Sequence, residues 1–511
     1  MTKNTATTAK AKFGRLASKP SGLLLVLLAG AASLGIPGAA SGEPKPVTAS
    51  RTAGTAVGPV TFTLPPKNSG KPFGATSMDL AAHGYVEEEF LVNGLGNRYR
   101  MKGPLATAEL VDGGHPFTSR ILVRRPTDPK KFNGIVLLEW FNVSGGQDID
   151  FLYAAIRKHL IDQGYAWVGV SAQAVGANTL KVANPARYGS ISVAASNEDP
   201  NGGILDRPTG PPGPDSPSDV LSWDIFTQVG AALRQPATAG APSPLGNLRP
   251  KMVLASGESQ SAFRLTDYYN AIQPLYPDVF DAFFTYDRVM RPQRTDVKAR
   301  HLSIGTEAFA SPPPDNDNLR LWELAGASHV SANEVSPYLD EQVFRSGLLL
   351  YEGKPTTLTD NNLRACKVHP VLSLVPNGDA LNAGLEALIT WARGGPAPTM
   401  AARMARDKEG RLVRDAEGRV SGGIRLAAYD APMSHSTGTN TGDWFCGIIG
   451  SHVDFTPAEM CRRYGSPRQY VHKVTQVSRK AQSDGFLLKA DADLTIAQSR
   501  RQTFTCSQGG N

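Results

Sequence analysis

The sequence predicts an α/β architecture with a mostly parallel central sheet, and three observations carry that expectation. Short, nearly continuous apolar runs recur between residues 134 and 330, the form taken by strands buried on both faces. One of them, Ile135-Val136-Leu137-Leu138-Glu139-Trp140, is followed by helical spacing over residues 148–163 and a second apolar run at 166–170, which makes a strand-helix-strand unit. Another, at 251–255, passes through a short turn straight into a helical pattern at 260–272.

In chain order, residues 1–42 carry Lys3, Lys10, Lys12, Arg15 and Lys19 and no acidic residue, then a 14-residue apolar run ending at Ile36, then Pro37-Gly38-Ala39-Ala40-Ser41. A basic start, an apolar stretch short for a bilayer and a small-residue end predict a signal peptide cleaved near residues 40–42, hence a secreted or periplasmic protein. The Pro-, Gly-, Thr- and Ser-rich stretch 43–83 predicts a linker or extended arm. Alternating patterns at 85–93 and 117–125 predict half-buried strands. After the fourth core strand at 166–170, residues 174–220 are rich in Gly, Pro, Asn and Ser and predict a long irregular insertion acting as lid or pocket wall. A helix at 219–233 and strands at 280–286, 301–305 and 319–324 complete a core at 84–334.

Residues 335–511 predict a large C-terminal extension packed on that core. It holds a helix at 379–393 stopped by Gly394-Gly395-Pro396, and two turn signals, Asp407-Lys408-Glu409-Gly410 and Asp415-Ala416-Glu417-Gly418. All four cysteines, Cys366, Cys446, Cys461 and Cys506, lie there. An even count in an exported protein predicts two disulfides, with three pairings open.

The formal charge is +7. Five positive charges belong to residues 1–42, and residues 461–511 hold nine basic against three acidic, which leaves 43–460 at about −4. A mildly acidic core without a basic-aromatic run argues against a nucleic-acid partner, and the basic tail reads as a solvated helical surface. There is no G-x-G-x-x-G after a strand, no P-loop, no H-E-x-x-H and no zinc-type cysteine spacing, so no cofactor and no metal are expected. No integral membrane span is expected after processing.

The chemistry is concentrated in Ala255-Ser256-Gly257-Glu258-Ser259-Gln260-Ser261. A buried strand runs through a tight turn into a helix with Ser259 at the apex, the context of a nucleophile elbow. Gly257 supplies the small residue on one side, and Ser261 stands where Gly is usual. A serine needs a base, and His329, after the strand and small-residue turn Trp322-Glu323-Leu324-Ala325-Gly326-Ala327-Ser328, lies downstream where the base belongs. The base needs a carboxylate: Glu307, at the end of the strand 301–305, is the expected acid, with Asp315 and Asp317 as rivals. The oxyanion needs N–H donors, expected from Gln260 and from Val143 or Ser144 in Phe141-Asn142-Val143-Ser144-Gly145-Gly146.

These segments, with Tyr85-Val86-Glu87-Glu88-Glu89-Phe90, Trp167-Val168-Gly169-Val170-Ser171-Ala172-Gln173, Ser222-Trp223-Asp224-Ile225-Phe226 and Gly422-Gly423-Ile424-Arg425, resemble a secreted bacterial "alpha/beta hydrolase domain" family. The likeness runs from 85 to 425, and it is the joint order of the motifs that is specific. The resemblance implies an α/β-hydrolase fold and a serine-hydrolase triad at Ser259, Glu307 and His329, without naming a substrate. Ser at the second position after the nucleophile is normal in that group. The family often has an Asp soon after the acid, whereas Ala308-Phe309 follow Glu307 here. The expected activity is hydrolysis of small-molecule or polymeric carboxylic esters through an acyl-enzyme. A peptidase or polyester depolymerase on the same triad, and a non-catalytic extracellular binding protein, are the alternatives.

Overall fold

A computed structural model describes residues 57–206, 218–236, 240–287, 291–309, 313–443 and 445–506. The expected signal peptide lies outside the described residues. The strands are β1 (Val60–Thr63), β2 (Tyr85–Arg100), β3 (Glu109–Pro126), β4 (Ile135–Trp140), β5 (Ala166–Val170), β6 (Met252–Glu258), β7 (Ala282–Tyr286), β8 (Arg300–Gly305) and β9 (Leu319–Glu323). They form one nine-stranded sheet in the order β1-β2-β3-β5-β4-β6-β7-β8-β9. From β5 to β9 every neighbouring pair is parallel, and β1, β2 and β3 join antiparallel. The arm expected at 43–83 thus contributes a short edge strand. β2 and β3 run well past the alternating segments read from sequence, pairing out to Arg100 and Glu109 as a long ribbon.

Both sheet faces are buried, which is why β4, β5, β6, β7 and β9 are buried at every residue. Alternate residues of β4 serve opposite cores: Ile135 and Leu137 join one apolar cluster, Val136 and Leu138 the other. The first face is covered by α1 (Phe151–Asp162) and by a helix of the C-terminal extension, Asn377–Ala392; the second is covered by helices Ser222–Leu233 and Gln260–Ala271. Buried Glu139 of β4 accepts from the N–H groups of Leu152 and Tyr153 at 3.0 and 2.9 Å, so a strand side chain caps the first turn of α1.

Two arginines of β3 are buried in charge ladders. Arg120 meets Glu89 and Asp148 at 3.0 and 3.2 Å, and Arg124 meets Glu87 and Asp150 at 2.8 and 2.5 Å. They tie the loop between β4 and α1 to β2 and β3.

The insertion expected to be irregular over 174–220 begins with a helix, α2 (Ala174–Ala183). Its first N–H is satisfied by Asp219 across the loop, Ala174 N to Asp219 Oδ1 2.8 Å. Gly176 is required inside it because a Cβ there would fall 1.9 Å from Asp148 Oδ1. This glycine, read as a loop former, serves close packing here. In chain order the helices Ser222–Leu233, Gln260–Ala271 and Asn377–Ala392 are α3, α4 and α5, followed by α6 (Pro457–Tyr464), α7 (Pro467–Ser483) and α8 (Lys489–Ser499).

The cysteines form two disulfides, Cys366–Cys446 and Cys461–Cys506. The two turn signals close as read: Gly410 N donates to Asp407 O and Gly418 N to Asp415 O, both at 2.9 Å. The basic tail forms α6 to α8, where Lys480 pairs with Asp484, and Arg479 and Lys489 with Asp493. Among the described residues no helix is long and apolar enough to cross a membrane.

Candidate active site

β6 ends at Glu258 and α4 begins at Gln260, so Ser259 alone makes the turn, at φ 54° and ψ −112°. A non-glycine residue at positive φ is strained. The strain is held by neighbours: Ser259 N donates to Tyr286 O at 2.9 Å, and the Ser261 hydroxyl both accepts from Glu258 N and donates to Glu258 O, each at 2.9 Å. Ser261 therefore closes the turn from the position where glycine is usual. On the other side a Cβ at Gly257 would lie 2.9 Å from Ser261 Oγ and 3.0 Å from Leu265, so helix packs on strand only because that residue is Gly.

His329 follows β9 and is buried with Ser259. Its backbone N–H donates to Ile448 O at 3.0 Å, and its ring sits 4.8 Å from that of Phe309. Carboxylates engage both ring nitrogens: Nδ1 is 2.6 Å from Asp287 Oδ2, and Nε2 is 2.9 Å from Glu258 Oε1. Asp287 is the first residue after β7, at φ 58°, and is fixed by Thr306, whose N–H reaches Oδ1 at 2.6 Å and whose hydroxyl reaches Oδ2 at 2.9 Å.

The structure does not bring the expected acid, or either of its rivals, to His329. Glu307 is buried near the site, but its carboxylate accepts from Gly326 N at 2.8 Å, from Arg414 at 2.7 Å and from Gly438 N at 3.3 Å. Asp315 is spent on Leu321 N and on Arg320 and Arg403. Asp317 meets Arg300 through its backbone carbonyl. The reason is topological. Glu307 follows β8, one strand before that of His329, whereas the carboxylate on Nδ1 leaves β7, the strand before that one. An Asp directly after the apolar run Ala282-Phe283-Phe284-Thr285-Tyr286 was the available signal. Glu258 was passed over because it lies inside the elbow motif, at a position that pattern leaves unspecified.

The expected oxyanion donors lie beside the elbow, and two of them are engaged within the loop and helix. Val143 N approaches Gln260 Oε1 at 3.4 Å, a long contact, while Ser144 N is taken by Asn142 Oδ1 at 2.8 Å. Gln260 opens α4, where N–H groups have no intrahelical partner. Asn142 Nδ2 donates to Glu258 Oε2 at 2.8 Å, so one amide links the loop to the elbow.

Burial favours the neutral ring of His329, but the attraction of Glu258 and the bonds to Asp287 and Glu258 outweigh it and push the imidazole up to about 10. Burial raises the Glu258 carboxyl, against the pull of His329, and raises Glu334 to about 8. His301, between Thr285 and Gln293 and away from this cluster, is lowered by burial to about 3. Among the described residues no group of three or more His, Cys, Asp or Glu side chains is arranged to hold a metal ion.

A strand-turn-helix serine, a histidine after the last strand and a largely parallel sheet covered on both faces define an α/β hydrolase. The chain belongs to the family described as "Alpha/beta hydrolase domain", which matches it over residues 55–497. No curated protein matches it. Among solved structures it is similar to the rice cell wall degrading esterase LipA from Xanthomonas oryzae, at 12% identity over 44% of this chain and 48% of that one, TM-score 0.22. It is similar to esterase Est22 at 10% identity over 44% and 64%, TM-score 0.24, and to Est1E from Butyrivibrio proteoclasticus at 8% over 46% and 90%, TM-score 0.24. The chain thus spans about half the length of LipA.

Proposed function

We propose that the protein is a secreted serine hydrolase that cleaves carboxylic esters, with Ser259 as nucleophile, His329 as general base and Asp287 as the acid that orients it. The observation that carries this reading is the strained Ser259 at the strand-helix apex, one residue from the Glu258 side chain that touches the same imidazole as Asp287. Asp287 fixes the proton on Nδ1. Nε2 then takes the Ser259 hydroxyl proton as Oγ attacks the carbonyl carbon, and later returns it to the leaving alcohol. Water attacks the acyl-enzyme by the same proton route in reverse. The N–H groups of Gln260 and Val143 receive the oxyanion. Val143 suits that role better than Ser144, because its N–H is held only by a long 3.4 Å contact to Gln260 Oε1 and that of Ser144 by a 2.8 Å bond to Asn142. Two disulfides support an oxidising, extracytoplasmic setting.

The test is hydrolysis of short p-nitrophenyl esters and labelling by a fluorophosphonate. The wild type hydrolyses the esters and takes one label, and Ser259→Ala does neither while unfolding at the same temperature. A wild-type protein that takes no label, or a Ser259→Ala variant that still turns over ester, overturns the reading.

A further inference from the structure

Gln260 takes part in the elbow twice. Its backbone N–H opens α4, and its side chain joins the loop after β4 to the residue that precedes α2. Oε1 faces the Val143 N–H at 3.4 Å, and Nε2 donates to Gln173 Oε1 at 2.9 Å. Which end of the amide is oxygen is settled by its neighbours. The buried Trp140 indole can only donate, and it donates to the same Gln173 Oε1 at 2.9 Å. Gln173 Nε2 in turn donates to Asp219 Oδ2 at 2.9 Å. The Gln173 atom that meets Gln260 is therefore an acceptor, so Gln260 presents its NH₂ there and its oxygen to Val143. The reversed amide would set oxygen against oxygen at Gln173 and N–H against N–H at Val143.

Val143 N–H is the donor that the proposed mechanism gives to the oxyanion, and at rest it faces an oxygen of the chain itself. That contact is longer than the usual length of about 2.9–3.0 Å, and Gln260 is anchored by its nitrogen end, so Oε1 stands beside the donor without gripping it. A neutral ester carbonyl has little to gain by displacing it, since one neutral oxygen would replace another already tethered in place. A developing oxyanion gains more, because a hydrogen bond to a charged acceptor is roughly twice as strong as one between neutral groups. Contacts that strengthen between bound substrate and transition state are the ones that accelerate the chemical step.

We propose, resting on the hydrolase reading above, that the Gln260 side chain is a positioning group that reserves Val143 N–H for the transition state. Oε1 occupies that N–H in the free enzyme and in the enzyme–substrate complex, and yields it as the carbonyl oxygen becomes an oxyanion. No bond forms or breaks at Gln260. Its Nε2 stays on Gln173, its Oε1 turns aside, and the N–H groups of Gln260 and Val143 then meet the charged oxygen together. The insertion bears on the site through this anchor, because Gln173 is held by Trp140 of β4 and by Asp219, which also takes the Ala174 N–H.

The test has two arms. In the first, acylation by a short p-nitrophenyl ester is followed with enzyme in excess, so that substrate Kd and acylation rate are read separately, in wild type and in Gln260→Met, which keeps the length and loses the amide. With Val143 N–H open to the bound ester, Kd and acylation rate should fall together, each by about threefold. Any other pattern overturns the proposal: constants that do not move, or a rate that falls with Kd unchanged or raised, which shows that the side chain merely braces the loop. The second arm needs no variant and decides the matter if Gln260→Met fails to fold. Crystals of the free wild type should show Oε1 on Val143 N–H, and crystals of the phosphonate-labelled enzyme a phosphonyl oxygen in its place, with Nε2 still on Gln173. A labelled enzyme in which Oε1 keeps Val143 N–H overturns the proposal and leaves the hydrolase reading standing. A wild type that takes no phosphonate removes that reading and this proposal with it.

Discussion

Replacing Asp287 by Asn tests the proposed triad acid against Glu307, the carboxylate that the sequence favoured. In the native site Asp287 Oδ1 accepts the Thr306 N–H at 2.6 Å while Oδ2 faces His329 Nδ1. Asn keeps its single carbonyl oxygen on Thr306, so its NH₂ group turns toward Nδ1. That forces the ring proton onto Nε2 and removes the lone pair that Ser259 needs. The electrostatic loss adds to this. Burial alone would favour the neutral ring, and Asp287 is one of the two carboxylates whose attraction and bonding raise His329 instead, so its neutralisation weakens the imidazolium that forms in the reaction. With the wrong tautomer the total loss in kcat/KM should reach about 10³–10⁴-fold. The assay is p-nitrophenyl ester hydrolysis beside thermal unfolding, since the substitution is nearly isosteric and the variant should fold. A folded Asp287→Asn enzyme that keeps more than roughly a tenth of wild-type activity refutes the assignment, above all if Glu307→Gln proves to be the inactive variant.

Glu307→Ala strips an acceptor from two backbone N–H groups and from Arg414. It should cost about 3 kcal/mol of stability, read from the urea midpoint, while folded enzyme keeps activity within about tenfold. His301 is neutral in the fold because burial lowers it to about 3 from 6.5. The unfolded chain therefore binds the extra proton first, so the contribution of His301 is whole above pH 6.5 and is lost as pH falls toward 3, at up to about 1.4 kcal/mol per pH unit. His301→Asn should flatten the dependence of the urea midpoint on pH in that window by about one proton; an unchanged slope contradicts it. Cys461→Ser with Cys506→Ser opens a link between residues 45 apart. On the chain-entropy account this costs ~4 kcal/mol, visible as an earlier urea transition of the tail helices and absent when wild type is measured under reducing conditions.

The fold was legible because its strands are short and buried on both faces. Val136, Leu138, Val253 and Phe283 are apolar wherever they point, and the nucleophile turn is marked by Gly257 and Ser259 within five residues. The acid was harder. Asp287, Glu307, Asp315 and Asp317 all lie near strand ends, and chain order does not say which carboxylate reaches across the sheet to His329. That depends on β7 and β8 being neighbours, with the Asp287 backbone turned back at positive φ. The helix α2 was hidden because its glycine serves packing against Asp148. The buried arginines 120 and 124 were unreadable for a similar reason: an alternating strand places charged residues by parity, and only the partner strand shows whether that face is wet.

The C-terminal extension also changes meaning once seen in place. It read as material packed on a finished core, yet the turn that delivers His329 is built from both. Ser373 Oγ donates to Gly326 O at 2.6 Å, Asn377 Nδ2 to Ser328 O at 2.8 Å, and Ile448 O receives the His329 N–H at 3.0 Å. Ile424 adds a further parallel bridge beside β9 at Leu324. A short loop after an edge strand would otherwise expose these backbone groups to water and leave the imidazole free to move. Here each is paired by a residue more than forty positions later, and the Cys366–Cys446 link ties the segment before Ser373 to the turn just before Ile448. The extension is thus the clamp that holds His329 between Glu258 and Asp287, and the precision of that placement rests on it as much as on the sheet.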